Sequence, residues 1–216
     1  AGRDAALPAA IPGWTAADGL ELDAAAVDRA WHALAARHGI GGTLRQLRGD
    51  GARPRAVIVE PGREVIIIVP ARLATPADRF AVLHELGHAL AGLGAPAGIP
   101  RVLDEAVAAY SARAIEAPGS AWYSPLAVAA RQRRRALAAA LDRQERALPG
   151  FAAPGDARPP WALWHDAGAQ AAYVAAEHLA DALAGALTDD PSEAPGGLIA
   201  AIARHRAAID RADLGC

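Results

Sequence analysis

The apolar residues in the first quarter of the chain follow a helical period. Between Val27 and His38 they recur every three or four residues, which places them on one face of a helix. Asp18 and Asp23 are both candidate N-caps for this helix, and Gly39 supplies its end. The pattern therefore predicts one amphipathic helix close to the N-terminus.

The next apolar residues form short β-branched runs. Residues 57–59 and 65–69 are rich in valine and isoleucine, and the turn-forming segment 60–63 separates them. This arrangement predicts a β-hairpin. Leu44 and Leu47, just before it, belong either to an earlier strand or to a short helix.

After Pro70 the pattern is helical. Thr75 and Pro76 have the spacing of a cap followed by a proline at the first helical position. The predicted helices cover approximately residues 75–90, 101–116, 124–149, 166–187 and 197–211. A small sheet followed by many helices indicates the α+β class. We expect an irregular arm (1–17), a core (18–120) and a helical C-terminal subdomain (121–216).

Composition narrows the class of protein. Of 216 residues, 53% are hydrophobic, which excludes a disordered chain. The single cysteine, Cys216, excludes a disulfide scaffold, and the net charge of −2 argues against a broadly basic nucleic-acid surface. A local group of arginines at 131–135 is expected on a solvated helix face.

Nothing in the sequence predicts membrane insertion. The longest strongly apolar run, residues 65–69, is far shorter than the roughly 20 residues needed to span a bilayer. No signal-peptide pattern is visible. A single cysteine without a partner fits the cytoplasm, which we favour over export after removal of a leader. We expect neither a membrane nor a nucleic acid among the partners, and the sequence leaves the oligomeric state open.

Residues 84–88 form an HExxH motif, which carries the clearest chemical signal. His84 and His88 share one helix face and can bind one zinc ion, while Glu85 can act as general base toward a zinc-activated water. With 7 histidines and 9 glutamates in the chain, about 0.01 such motifs are expected by chance. We therefore predict one Zn²⁺ as cofactor, in a catalytic site.

A third metal ligand is expected on the following helix. The metzincin spacing fails, because Ala91 and Gly94 stand where that pattern needs a glycine and a further ligand. Glu105 lies far enough beyond His88 for the chain to turn back, and we favour it over Asp104. The predicted ligand set is two histidines and one glutamate.

The chain resembles the gluzincins, the HExxH-plus-glutamate class of zinc metallopeptidases. The strand at 66–69 and the Arg79–Phe80 pair before the motif are similar to the ImmA/IrrE-like branch. Residues 103–110 resemble the ligand helix of aminopeptidase-like (peptidase MA) gluzincins. The resemblance covers about residues 55–117 and implies a zincin-like fold. It departs at Ala109, where thermolysin-like relatives carry an aspartate that orients a zinc histidine.

The resemblance implies zinc-dependent hydrolysis of peptide bonds in a peptide or protein substrate. The substrate would lie along a sheet edge, expected at Val65–Val69, and Glu85 would pass a proton to the leaving amine. A further side chain would stabilise the oxyanion. We favour His165 for this catalytic role; the other candidates are Tyr123, Tyr173 and His178.

Two other functions stay open at this point. A zincin fold can serve as a regulatory or peptide-binding module with little turnover. An ImmA/IrrE-like protein would instead cleave a separate repressor, since this sequence shows no helix-turn-helix of its own.

Overall fold

The computed structural model describes residues 13, 15–95, 97–99, 101–116, 118–129, 132 and 180. Its elements are, in chain order, α1 (Ala24–His38), β1 (Thr43–Gly49), β2 (Arg55–Glu60), β3 (Glu64–Pro70), α2 (Pro76–Gly94) and α3 (Arg101–Ile115). The α+β prediction is confirmed: a three-stranded mixed sheet packs against α2, with further helices around it.

Helix α1 begins after Asp23, whose side chain accepts a hydrogen bond from the Ala26 N–H at 2.9 Å. Of the two candidate caps, Asp23 is thus the correct one. Asp18 instead binds Arg79 on α2. The helix ends at Gly39 in a left-handed conformation (φ 61°), which glycine adopts without the steric cost of a Cβ.

The predicted hairpin is present, as β2 and β3 pair antiparallel. Residues Leu44 and Leu47 lie on strand β1, which pairs parallel with β3. The strand order is therefore β1-β3-β2, with β3 in the centre. The expectation that Val65–Val69 forms a sheet edge is wrong, because the parallel partner β1 occupies the side of β3 that the hairpin leaves open.

Strand β3 alternates between a buried and a half-buried face, as a period of two requires. Its buried face, made by Val65, Ile67 and Val69, belongs to the same core as Leu83 and Leu86 of α2. The HExxH segment therefore lies on a helix whose apolar side is held against the centre of the sheet.

The start of α2 has the predicted cap. Thr75 and Asp78 form a capping box, and Pro76 occupies the first turn. None of the helices in the described part of the chain combines the length and the hydropathy needed to cross a bilayer.

Residues 125–129 are helical, as predicted for the start of the helix at Ser124–Pro125. Of the rest of that helix and the two later predicted helices, only residues 132 and 180 are described, and both are helical. His165 lies outside the described residues.

Candidate metal centre

Helix α2 places the two motif histidines one turn apart. The rings of His84 and His88 meet edge to face, with their centroids 4.8 Å apart. Both side chains are half-buried, at 14% and 17% exposure. The helix therefore presents two imidazoles to one point at the margin of the core.

The glycine between them allows α3 to approach closely. A Cβ at Gly87 would overlap the Cα of Ala108 on α3 and lie 3.1 Å from its nitrogen. Only a residue without a side chain fits between the two helix backbones at this contact. The close approach brings the N-terminal part of α3, with Glu105, to the histidines.

Glu105 completes the predicted set. Its Oε2 lies 3.1 Å from His84 Nε2 and 3.7 Å from His88 Nε2, and the three ligand atoms lie within 4.8 Å of one another. Zinc ligands about 2.0–2.2 Å from a tetrahedral ion are separated by about 3.3–3.6 Å. The spacing and the donor types thus fit a metal ion, and these residues could hold one.

Asp104 is close to the site but is not part of this ligand set. Its Oδ1 lies 2.9 Å from Nδ1 of His88, the ring nitrogen that does not face Glu105. The contact has the distance of an ion pair but not the alignment of a hydrogen bond. The geometry supports the preference for Glu105 over Asp104 as third ligand.

Glu85 reaches the sheet from the same turn of α2. Its Oε2 accepts a hydrogen bond of 2.7 Å from the backbone N–H of Ala56 in β2. A carboxylate bound to a backbone N–H is held by a charge-assisted bond, which is stronger than a neutral one. The predicted general base is therefore anchored at β2.

The carboxylates around the histidines govern the protonation of the site. Burial lowers the pKa of His88, but contacts with Asp104, Glu105 and Glu85 outweigh it and hold that pKa above its usual value. Burial raises the pKa of Glu105, yet its contacts with His84 and His88, aided by Arg101, lower it overall. Glu105 is consequently an anion at neutral pH, as a metal ligand must be.

Comparison of the chain with models of known protein families, with curated proteins and with solved structures finds no match. The motif and its geometry are therefore the only guide to chemistry. They establish a candidate metal site of two histidines and one glutamate, in which the histidines have the HxxxH spacing.

The oxyanion candidates remain predictions. His165, Tyr173 and His178 lie outside the described residues, while Tyr123 follows α3 with 38% of its surface exposed. Sequence reasoning missed the contact of Asp104 with His88 and that of Ala56 with Glu85. The first had a usable signal, a carboxylate directly before the third ligand, but the second involves a backbone group that no side-chain pattern reveals.

Proposed function

We propose that the protein is a zinc-dependent peptidase that hydrolyses peptide bonds, with Glu85 as the general base. The observation that carries the proposal is the convergence of His84, His88 and Glu105 beside Glu85, whose carboxylate is held at β2. Two imidazoles and one carboxylate are a donor set typical of catalytic zinc sites, which keep one coordination position open.

The three ligands would hold the ion and leave the acid–base work to Glu85. A zinc ion bound there would polarise the scissile carbonyl and lower the pKa of a neighbouring water. Glu85 takes one proton from the attacking water as the new C–O bond forms, and delivers it to the amine nitrogen as the C–N bond breaks. The Ala56 N–H keeps the carboxylate of Glu85 at the sheet during both transfers.

The outer side of β2, rather than β3, supports binding of an extended peptide. Ala56 directs its N–H to Glu85 and not to β3, so Ile58, two residues further along, also directs its backbone groups away from β3. Ile58 is 50% exposed. A substrate strand added at this side would pass beside Glu85, which places its scissile bond next to the metal ligands.

Digestion of a peptide library by the zinc-loaded full-length chain, read by mass spectrometry, tests the proposal. The wild type should cleave, and Glu85→Gln at equal zinc loading should lose about 10²- to 10⁴-fold in rate, the usual contribution of general acid–base catalysis. Glu21→Gln, which changes an exposed glutamate before α1, should keep the wild-type rate.

Two results would count against the proposal. The first is absence of cleavage at full zinc loading, which would indicate a metal-binding protein without peptidase activity. If peptides also remain bound to it uncut, the protein is a peptide-binding module. Equal rates for the wild type and Glu85→Gln would show that Glu85 is not the base.

A further inference from the structure

We infer that Asp104 is a positioning residue: it holds the imidazole of His88 so that Nε2 is free to bind the metal. Asp104 directly precedes the ligand Glu105 on α3, and its Oδ1 lies 2.9 Å from His88 Nδ1. The inference rests on the proposed metal site and adds a residue that supports it from outside the ligand set.

The two nitrogens of His88 face different carboxylates. Nε2 lies 3.7 Å from Oε2 of Glu105, on the side where the ligand atoms converge, whereas Nδ1 faces Asp104. A neutral imidazole carries its proton on one nitrogen and offers a lone pair on the other. A carboxylate at Nδ1 stabilises the form with the proton there, and this form presents the Nε2 lone pair to a metal.

The position of Asp104 also suits this role. Its side chain is 37% exposed, whereas Glu105 is 6% exposed, so Asp104 stands at the rim of the site and Glu105 inside it. The carboxylate that faces His88 Nδ1 is that of the residue directly before the ligand.

A purely structural role is the alternative. Asp104 lies in the first turn of α3, where a negative charge stabilises the helix dipole. Such a role would change the stability of the metal-free protein without changing metal affinity. It would also be lost equally in Asp104→Ala and Asp104→Asn, since both remove the charge. If Asp104 positions His88, the asparagine variant differs from the alanine variant, because its oxygen still places an acceptor beside His88 Nδ1.

The test measures Zn²⁺ affinity by competition with a chromophoric chelator, and the visible spectrum of the Co²⁺-loaded protein. Asp104→Ala should weaken Zn²⁺ binding about 10- to 100-fold, as typically found when an outer partner of a ligand is removed. Asp104→Asn should recover part of the loss, and the Co²⁺ bands of Asp104→Ala should shift. Asp50→Ala, which removes an exposed aspartate between β1 and β2, should match the wild type in Zn²⁺ affinity and in the Co²⁺ spectrum.

Zn²⁺ affinity of Asp104→Ala within twofold of the wild type, with unchanged Co²⁺ bands, would overturn the inference. So would an asparagine variant as weak as the alanine variant, or a wild-type chain that binds no Zn²⁺. Circular dichroism of the metal-free variants verifies that each is folded. If the wild type binds zinc as expected but cuts no peptide, the proposed function fails while the role of Asp104 stands.

Discussion

Helix α2 carries two clusters of charged groups at the margin of the core that differ in their balance of charge. In the first, the Arg79 guanidinium donates hydrogen bonds to both carboxylate oxygens of Asp18 and, at 2.8 Å, to the carbonyl of Leu20. One positive charge meets one negative charge, and the Arg79 bond holds the pKa of Asp18 below its usual value. This cluster ties the segment before α1 to α2.

The second cluster, five residues further along α2, has an excess of acid. The carboxylates of Glu85, Asp104 and Glu105 surround the imidazoles of His84 and His88. Three carboxylates outnumber the nearby Arg101 guanidinium, and such an excess of negative charge gains from an added positive charge. The comparison teaches that burial of charge alone does not mark a functional site: a balanced pair stabilises the fold, and an unbalanced one can bind an ion.

Breaking the balanced cluster should have the largest effect on stability. Asp18→Ala leaves Arg79, which is 1% exposed, without its carboxylate. Removing one partner of a fully buried pair costs about 3–5 kcal/mol in the free energy of unfolding. We expect the lower end of that range, because the Asp18 side chain is 35% exposed. We expect a loss of this size in urea denaturation, with Zn²⁺ affinity unchanged.

Glu21→Ala is the matched control. It breaks the exposed pair of Glu21 with Arg72, and such surface pairs contribute about 0–1 kcal/mol. Equal unfolding free energies for the two variants would show that Arg79 does not depend on Asp18.

His38 sharpens the comparison, because it is buried and, within the part of the chain that the structure describes, no carboxylate contributes to its pKa. It packs edge to face on Tyr110, with ring centroids 5.6 Å apart. Burial, with a smaller contribution from Arg37, lowers the pKa of His38 to about 4. The unfolded chain takes up this proton near pH 6.5, so stability falls as the pH drops from about 6.5 to about 4, by about 3 kcal/mol in total.

Unfolding free energies measured across this pH range, in the presence of a chelator, should show the loss in the wild type and a flatter profile in His38→Phe. His88, whose pKa is raised, contributes with the opposite sign at higher pH. His32→Phe changes an exposed histidine of α1 and should retain the wild-type profile. An unaltered slope in His38→Phe would contradict the lowered pKa of His38.

Gly87→Ala tests how the unbalanced cluster is assembled. We expect a smaller loss in the free energy of unfolding than in the preceding tests. The added Cβ overlaps the backbone of Ala108, so α2 and α3 must separate, and overpacking of this kind costs about 1–3 kcal/mol. Because Glu105 moves with α3, Zn²⁺ affinity should fall as well. Thermal unfolding and zinc competition measure the two effects.

Gly92→Ala is the corresponding control on the same helix. Its Cβ would lie 2.8 Å from Cδ1 and Cγ1 of Ile58 and 3.6 Å from Cγ2 of Val65, side-chain atoms that can shift more readily than the backbone of Ala108. Equal losses in the two glycine variants would mean that the close contact at Gly87 has no special part in forming the site.

Local patterns predicted the features that depend on neighbours in sequence. The β2–β3 hairpin, the cap at Thr75 and the shared face of His84 and His88 each follow from a turn, a cap or a helical period. The choice of Glu105 required only that enough residues separate it from His88 for the chain to turn back.

Features that join distant segments were not predictable in the same way. The parallel pairing of β1 with β3, which removes Val65–Val69 from the edge, leaves no periodic trace in the sequence. Asp18 meets Arg79 across 61 positions, and its place shortly before the first predicted helix suggested a cap instead. The role inferred for Asp104 depends on the closeness of α2 and α3 at Gly87.

The central claim is that His84, His88 and Glu105 form a metal site, and calorimetric titration of the metal-free full-length chain with Zn²⁺ tests it most directly. The wild type should bind one ion per chain. Glu105→Gln should bind it more than about 100-fold more weakly, since loss of an outer partner alone costs 10- to 100-fold. Cys216→Ser should leave the affinity unchanged. A wild type that binds no zinc, or Glu105→Gln with wild-type affinity, would contradict the account.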